Sequence, residues 1–281
     1  SLTSPAYTAL SASLNPEYGV SLLNPLSSDL SVLRQSMLFG GLEAVSFNIN
    51  RKKETVKLFE FGKTYHQYQS GREEHKHLSL FVTGQAQEAH WGNAPKQSNF
   101  FYLKGIVEAL LERLGLSGLK TVPAKSDVFA EGISLSLGKA TLVELGTVNK
   151  KILKYFDIKQ EVLFADVNWD KVLGLVENNR AKFADIAKYP EVRRDLALLL
   201  DTKVTFEEVY TTALQSERKL LKAVTLFDVY EGKNLPEGKK SYAVSFTLLD
   251  EEKTLNDKDI DKVMAKLLQS FEKQLGATLR S

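Results

Sequence analysis

Cysteine is absent from the 281 residues. Its absence removes disulfide frameworks, thiol nucleophiles and every cysteine-based zinc or iron–sulfur site. No window approaches the roughly 18 consecutive apolar residues of a membrane-spanning helix, so no membrane partner is expected. The GxxxxGK[ST] phosphate loop, the GxGxxG turn, the HExxH helix and the GxSxG elbow are all missing, and with them the common signatures of catalysis. An excess of one charge is missing too, since 37 Lys+Arg stand against 35 Asp+Glu. From Lys188 onward the chain carries 16 residues of each sign. Contact with nucleic acid there must depend on a local patch and not on bulk charge. Residues 1–14 lack the basic start and apolar run of a secretory leader, and a first residue other than Met suggests an excised piece of a longer chain.

What is present suits a folded α+β protein. Hydrophobic residues make up 43% and charged residues 26%, close to the averages of globular chains, and the length suits two domains of ordinary size. The first 23 residues are polar and punctuated by Pro5, Pro16 and Gly19, which reads as loop or a short strand. After the turn-rich run Asn24 to Asp29, Ser28 or Asp29 is a candidate cap for a helix over 30–48, broken or kinked at Gly40-Gly41. Alternation predicts strands over 55–62 and 77–84, and helical spacing returns over 101–114. Strands over 133–137, 140–148 and 162–167 follow, with a short helix over 149–156 between the last two. Neighbouring strands with segregated helices indicate an antiparallel sheet.

Residues 178–189 read as a polar connector, and Pro190 marks a probable boundary by restricting the residue before it. Beyond it the order is regular: a strand over 193–200, then a helix over 206–215 capped by Thr205 with Glu208 in a capping box. A strand pair over 220–229 and 240–249 follows. A long helix capped by Asn256 or Asp257 stops at Gly276, and a short strand over 277–280 closes the chain. The order is βαββαβ.

His75 and His77 alternate on one strand with His66 and His90 near them. A metal site would need a third ligand and a carboxylate behind it, so the expectation is solvent-facing strand histidines and no metal. Paired acids such as Glu73-Glu74 and Glu207-Glu208 read as solvated faces, and no catalytic residue is assigned. Arg193-Arg194 beside Asp195 presents either a phosphate-binding fork or a strand-end ion pair. Phe227 and Tyr230 stand at a strand end across a hairpin from Lys239-Lys240. A four-stranded sheet with helices on one face leaves its other face free to stack bases, so these aromatics are open to both readings, core and contact.

Tyr189-Pro190-x-Val192-x-Arg194-Asp195-Leu196-Ala197, Leu226-Phe227-Asp228-Val229-Tyr230-x-Gly232, Gly238-Lys239-Lys240-Ser241, Lys253-Thr254-Leu255 and Leu279-Arg280 occur in an order and spacing that resembles the ferredoxin-fold anticodon-binding domain of the bacterial phenylalanyl-tRNA synthetase beta chain family. Upstream, Asn24-Pro25-Leu26-Ser27-Ser28-Asp29, Leu33-Arg34-Gln35-Ser36-Met37-Leu38-x-Gly40, Asn48-x-Asn50-Arg51 and Phe59-Glu60-x-Gly62 resemble the same family's synthetase-like domain. The sequence departs from the family at two His-Pro pairs, near 129–132 and at 146–150, where Gly132 and Gly146 alone persist.

The resemblance implies a noncatalytic class II aminoacyl-tRNA synthetase-like domain over 1–186, followed by a ferredoxin-like anticodon-binding domain over 187–281. It implies phenylalanine tRNA and the synthetase alpha subunit as partners, in an assembly of two alpha and two beta chains in the cytoplasm, and no DNA. ATP and Mg²⁺ would be used by the parent enzyme and not bound by this fragment. The family's tRNA-binding-like and editing domains and its Mg²⁺-binding segment would lie upstream. The expected tRNA contacts are Arg193, Arg194, Phe227, Tyr230, Lys233, Lys239, Lys240 and Ser241. Two other readings stay open: a purely structural assembly role with little RNA contact, and a regulatory small-molecule module, because fold alone does not choose function.

Overall fold

A computed structural model describes residues 2–25, 27–177 and 187–280. The chain divides into two compact units, Ser1–Lys182 and Phe183–Ser281. Most of the polar connector expected at 178–189, and the boundary expected at 186/187, lie outside the described residues, as does Leu26.

The first unit opens with β1 (Leu2–Thr3), β2 (Val20–Ser21) and β3 (Val32–Leu33), a small sheet in the order β1-β3-β2. Helix α1 (Leu38–Ile49) leads into the long strands β4 (Val56–Tyr68) and β5 (Gly71–Thr83). Next come β6 (Gln85–Gln87), β7 (Lys96–Gln97), α2 (Phe100–Arg113), β8 (Lys120–Pro123), β9 (Phe129–Leu137) and β10 (Ala140–Val148), and then α3 (Lys150–Tyr155), β11 (Val162–Asn168) and α4 (Trp169–Val176). Six strands form one sheet in the order β4-β5-β11-β10-β9-β8, antiparallel at every pairing.

The middle of that sheet is buried on both faces, which is why β11 reads as a nearly unbroken apolar run. On one side Leu38, Leu42 and Val45 of α1 and Ile152 of α3 pack on Phe81, Val162 and Phe164. On the other, Leu103, Val107 and Leu111 of α2 and Val172 of α4 pack on Leu78, Leu135, Leu163 and Ala165. Successive residues of a strand point to opposite faces, so Phe81 serves one layer while Leu80 and Val82 serve the other.

Two expectations are corrected here. The helix expected from residue 30 begins at Leu38, because Ser28–Leu30 is a single 3₁₀ turn and Val32–Leu33 is pinned in ladders to both β1 and β2. Gly40 and Gly41 run through α1 without a break. A Cβ on Gly41 would enter the Phe81 ring, so the glycine sets how closely the helix approaches the sheet. Helix α4, which sequence spacing does not reveal, starts at Trp169 with the Asn168 side chain accepting from the Lys171 amide.

The second unit contains β12 (Val192–Asp201), α5 (Phe206–Ser216), β13 (Leu221–Tyr230), β14 (Lys239–Leu248), α6 (Asp257–Leu275) and β15 (Thr278–Leu279). Its sheet order is β13-β14-β12-β15 with all pairings antiparallel. The helices start and stop where the chemistry of their ends dictates. Thr205 and Glu208 close a capping box on α5, the Asn256 side chain accepts from the Asp259 amide at the start of α6, and Gly276 ends that helix at φ +60. Both helices contribute to one core, with Val209 and Ala213 of α5 and Val263, Leu267 and Phe271 of α6 packed with Leu198, Leu200, Val244 and Phe246 of the sheet. Among the described residues no helix is long and apolar enough to cross a membrane.

Candidate functional site

The helices of the second unit leave one sheet face uncovered, and strand periodicity decides what that face carries. Even-numbered residues of β12 and β14, among them Leu198, Leu200, Val244 and Phe246, belong to the core. The odd-numbered Arg193, Asp195, Ala197, Leu199 and Asp201 of β12 therefore share the open face with Lys239, Ser241, Ala243, Ser245 and Thr247 of β14, their register partners. On β13 the alternation is interrupted by register shifts between Leu221 and Ala223 and between Leu226 and Asp228. Each shift admits an extra residue, which re-aims the side chains after it. Val224 and Leu226 still pack with the core, whereas Asp228 and Tyr230 stand opposite Ala243 and Ser241.

Two arginines meet two aromatics on this face. The Arg193 Cζ lies 5.6 Å from the centroid of the Phe227 ring, and the Arg280 Cζ lies 4.7 Å from that of Tyr230. Phe227 is 51% exposed, far more than a core aromatic. Between the pairs the central strands offer small side chains, Ala197, Ala243, Ser241 and Ser245. The charge is mixed. Arg193 Nε bonds Asp195 Oδ1 at 3.2 Å, and the Asp195 carboxyl is held below its usual range by Ser245, its register partner, and then by Arg193. Of the two, Arg193 is the firmer cause, because it makes a hydrogen bond of ordinary geometry and Ser245 Oγ does not.

The eight residues that the sequence groups as tRNA contacts do not form one patch. Arg193, Phe227, Tyr230, Lys239 and Ser241 share the open face, although Ser241 is only 4% exposed beneath its neighbours. Lys233 is exposed in the loop after β13. Arg194 and Lys240 stand on the helix side. Arg194 Nη2 is 3.8 Å from Asp257 Oδ1 at the start of α6. Lys240 is 7% exposed, with its Nζ 4.6 Å from the ring centroid of Tyr242, a core residue. The reason is geometric: neighbours on a strand point to opposite faces, so neither Arg193-Arg194 nor Lys239-Lys240 can present both charges on one side. Arg280 belongs to the open face and is absent from the sequence grouping. Its signal was the register of a two-residue edge strand, which no periodicity reveals.

Residues 1–169 match the family described as phenylalanyl tRNA synthetase beta chain CLM domain, and residues 187–280 match the ferredoxin-fold anticodon binding domain. The chain belongs to the phenylalanyl-tRNA synthetase beta chain family. It is 45% identical to the phenylalanine–tRNA ligase beta subunit of Bacteroides fragilis over 100% of this chain and 36% of that one. Identity to the corresponding subunit of Porphyromonas gingivalis is 42% over the same shares. For that of Streptococcus pneumoniae serotype 4 it is 34%, over 99% of this chain and 35% of that one. The chain thus spans about a third of the length of the curated relatives it matches. Among solved structures, pyrrolysyl-tRNA synthetase from Desulfitobacterium hafniense is similar at a TM-score of 0.48 and 14% identity, over 62% of this chain and 59% of that one.

The beta-chain motifs of the first unit interlock in space. Arg34, 8% exposed, bonds Glu60 at 2.8 Å through Nη1 and the Lys63 carbonyl at 2.9 Å through Nε. A Cβ on Gly62 would run into that guanidinium and into Met37. Leu33-Arg34-Gln35-Ser36-Met37 and Phe59-Glu60-x-Gly62 are therefore two halves of one contact. Gly132 and Gly146 face each other across the β9–β10 ladder, and the Phe129 ring fills the space beside both. His77 does not face solvent as expected. Its Nδ1 lies 2.9 Å from Asp166 and its Nε2 3.0 Å from Thr64, while the Ser79 hydroxyl donates to Asp166 at 2.9 Å.

Proposed function

We propose that this chain is the C-terminal part of a phenylalanine–tRNA ligase beta subunit, whose parent enzyme attaches phenylalanine to its tRNA at the expense of ATP. In this reading the second domain, 187–281, packs its open sheet face against the anticodon region of phenylalanine tRNA. The first domain, 1–186, is a noncatalytic scaffold for the alpha subunit in a cytoplasmic assembly of two alpha and two beta chains. The observation that carries the RNA part is the pairing of Phe227 with Arg193 and of Tyr230 with Arg280 on the uncovered face. Aromatic rings and guanidinium planes are the groups on which unpaired bases stack, and arginine N–H groups meet the phosphates between them.

The contact set is Arg193, Phe227, Tyr230, Lys239 and Ser241 on the face, with Lys233 at its rim. ATP and Mg²⁺ belong to the parent enzyme in this reading. In the first unit Arg34 is committed to Glu60, and Asp166 to His77 and Ser79, which fits a scaffold better than a triphosphate site. Among the described residues no group of three His, Asp or Glu side chains is arranged to hold a metal ion. A structural role with little RNA contact draws support from the balanced charge, but it leaves an exposed Phe227 on a strand without a reason.

Coexpression with an alpha subunit tests the scaffold part: a stable complex on size exclusion is expected, and separate elution counts against it. Titration with a labelled anticodon stem-loop RNA tests the other part, with measurable binding at low salt expected and none above background contradicting it.

A further inference from the structure

The outer end of the β4–β5 hairpin projects beyond the sheet. The β5–β11 ladder begins at His77, so among the described residues 63–68 and 71–76 pair in ladders only with each other. A two-stranded ribbon standing alone is marginally stable in water. Contacts at its base and tip hold it to the rest of the unit. The Tyr65 N–H donates to the Arg34 carbonyl at 2.9 Å, the Lys76 N–H donates to Asp170 Oδ2 at 2.7 Å, and the Tyr18 ring meets Tyr68 edge-on at 4.9 Å between centroids.

One face of this ribbon gathers three imidazoles. The register sets Gly62 opposite His77, Thr64 opposite His75 and His66 opposite Glu73, all on the same side by strand alternation. His77 lies against Asp166, and His75 Nε2 is 3.5 Å from Glu73, so each of these rings has a carboxylate beside it. His66 makes no such contact. Its ring lies parallel to Tyr68 and 5.6 Å from His75, and its Nδ1 is buried with no hydrogen-bonding partner among the described residues. Asp170 and Lys171 of α4 line the same cleft, but Asp170 accepts from Lys76 and Lys171 Nζ donates to the Thr141 carbonyl. Arg34 and Glu60, further in, are paired with each other. On the ribbon's other face Lys63 pairs with Glu74.

We propose that residues 63–76 form a pH-sensitive arm, closed while His66 is neutral and loosened when His66 takes up a proton. A second proton on that ring would bury an N–H without an acceptor and set a positive charge beside His75 and His77. Burial first, and then His75 and His77, hold the His66 imidazole below its ordinary range, against an opposite pull from Glu73. A histidine whose pKa is lowered by folding contributes stability that is complete above its unfolded value, near 6.5, and falls away as pH drops below it. The arm has little stability of its own to spare, so the loss appears there as local opening while the buried middle of the sheet stays closed.

Hydrogen–deuterium exchange on the 281-residue chain tests this, read as protection factors corrected for the intrinsic exchange rate at about pH 7.5 and about pH 5.5. Protection of the amides over 63–76 is expected to fall about tenfold at the lower pH, the most that one proton with an unfolded pKa near 6.5 supplies over that range. The β10–β11 ladder should change by less than about twofold. His66→Phe keeps a ring on Tyr68 and removes the proton site, so its arm should be protected equally at both pH values. Two-dimensional NMR of the unaltered chain gives a readout that needs no variant, and the His66 ring should titrate with a midpoint below 6.5. Arm protection that does not change with pH, an equal loss throughout the first unit, or an unchanged pH dependence in His66→Phe each overturns the proposal. A His66 midpoint at or above 6.5 does so as well.

Discussion

The Arg34 guanidinium occupies the space that any side chain at Gly62 would need. Arg34 is nearly buried and tied to Glu60 and to the Lys63 carbonyl, so it cannot move aside without giving up both bonds. Gly62→Ala is therefore expected to destabilise the first unit by about 1–3 kcal/mol, the usual cost of overpacking and of a broken charge-assisted hydrogen bond. Urea unfolding, read as a shift of midpoint at constant slope, checks this. A change within about 0.5 kcal/mol would mean that Arg34 is not held as the contacts imply.

Gly146→Ala should cost more than Gly62→Ala. The added methyl would overlap the Glu131 carbonyl and the Gly132 Cα, both backbone, as well as the Phe129 ring. A side chain can swing away but a ladder of paired strands cannot, so a loss above about 2 kcal/mol is expected in the same unfolding measurement. A double variant that also carries Phe129→Leu should recover only a small part of the loss. Full recovery would place the strain on the ring and contradict the backbone clash.

Asp127 ties down the N-terminal segment. It accepts from the Ser11 hydroxyl at 2.5 Å, the Ala12 amide at 2.7 Å and the Ser13 hydroxyl at 2.8 Å. Burial pushes its pKa up, but the hydrogen bonds from Ser11, Ala12 and Ser13 outweigh it and bring the pKa from an ordinary 3.8 to about 2. A carboxyl whose pKa is lowered by folding contributes stability that is fully present above its unfolded value and is lost as pH falls through the folded one. The difference in melting midpoint between the unaltered chain and Asp127→Asn should therefore be largest above about pH 4 and shrink towards pH 2. A pH-independent difference would show that the carboxylate charge contributes nothing.

Much of the second unit was legible because its signals are local. Thr205 with Glu208, Asn256, and Gly276 each act within one turn of a helix, and β12 and β14 alternate cleanly. The first unit was harder for particular reasons. Residues 63–68 and 71–76 extend the β4–β5 hairpin with polar side chains on both faces, so alternation stops before the strands do. Helix α4 spans eight residues with only Val172 fully buried, too short for a period. The start of α1 was set by β3 pairing with residues far away in sequence.

At the candidate face the residue types were readable and their sides were not. Arg193-Arg194 and Lys239-Lys240 each appear as one basic cluster in sequence, but the pleat sends their members to opposite sides of the sheet. The side that Phe227 takes depends on a register shift beside it, and the place of Arg280 depends on pairing between β15 and β12. These are tertiary facts with no local signature.

The proposed function requires the uncovered sheet face, and not the helix side, to meet RNA. The most direct measurement is the affinity of a labelled phenylalanine anticodon stem-loop for three proteins at low salt: the unaltered chain, Phe227→Ala/Tyr230→Ala and Arg194→Ala. Loss of two stacking rings should weaken binding at least about tenfold, while Arg194→Ala, on the opposite face beside Asp257, should bind within about twofold of the unaltered chain. Equal affinities for all three, or a larger loss from Arg194→Ala than from the aromatic pair, would contradict the account.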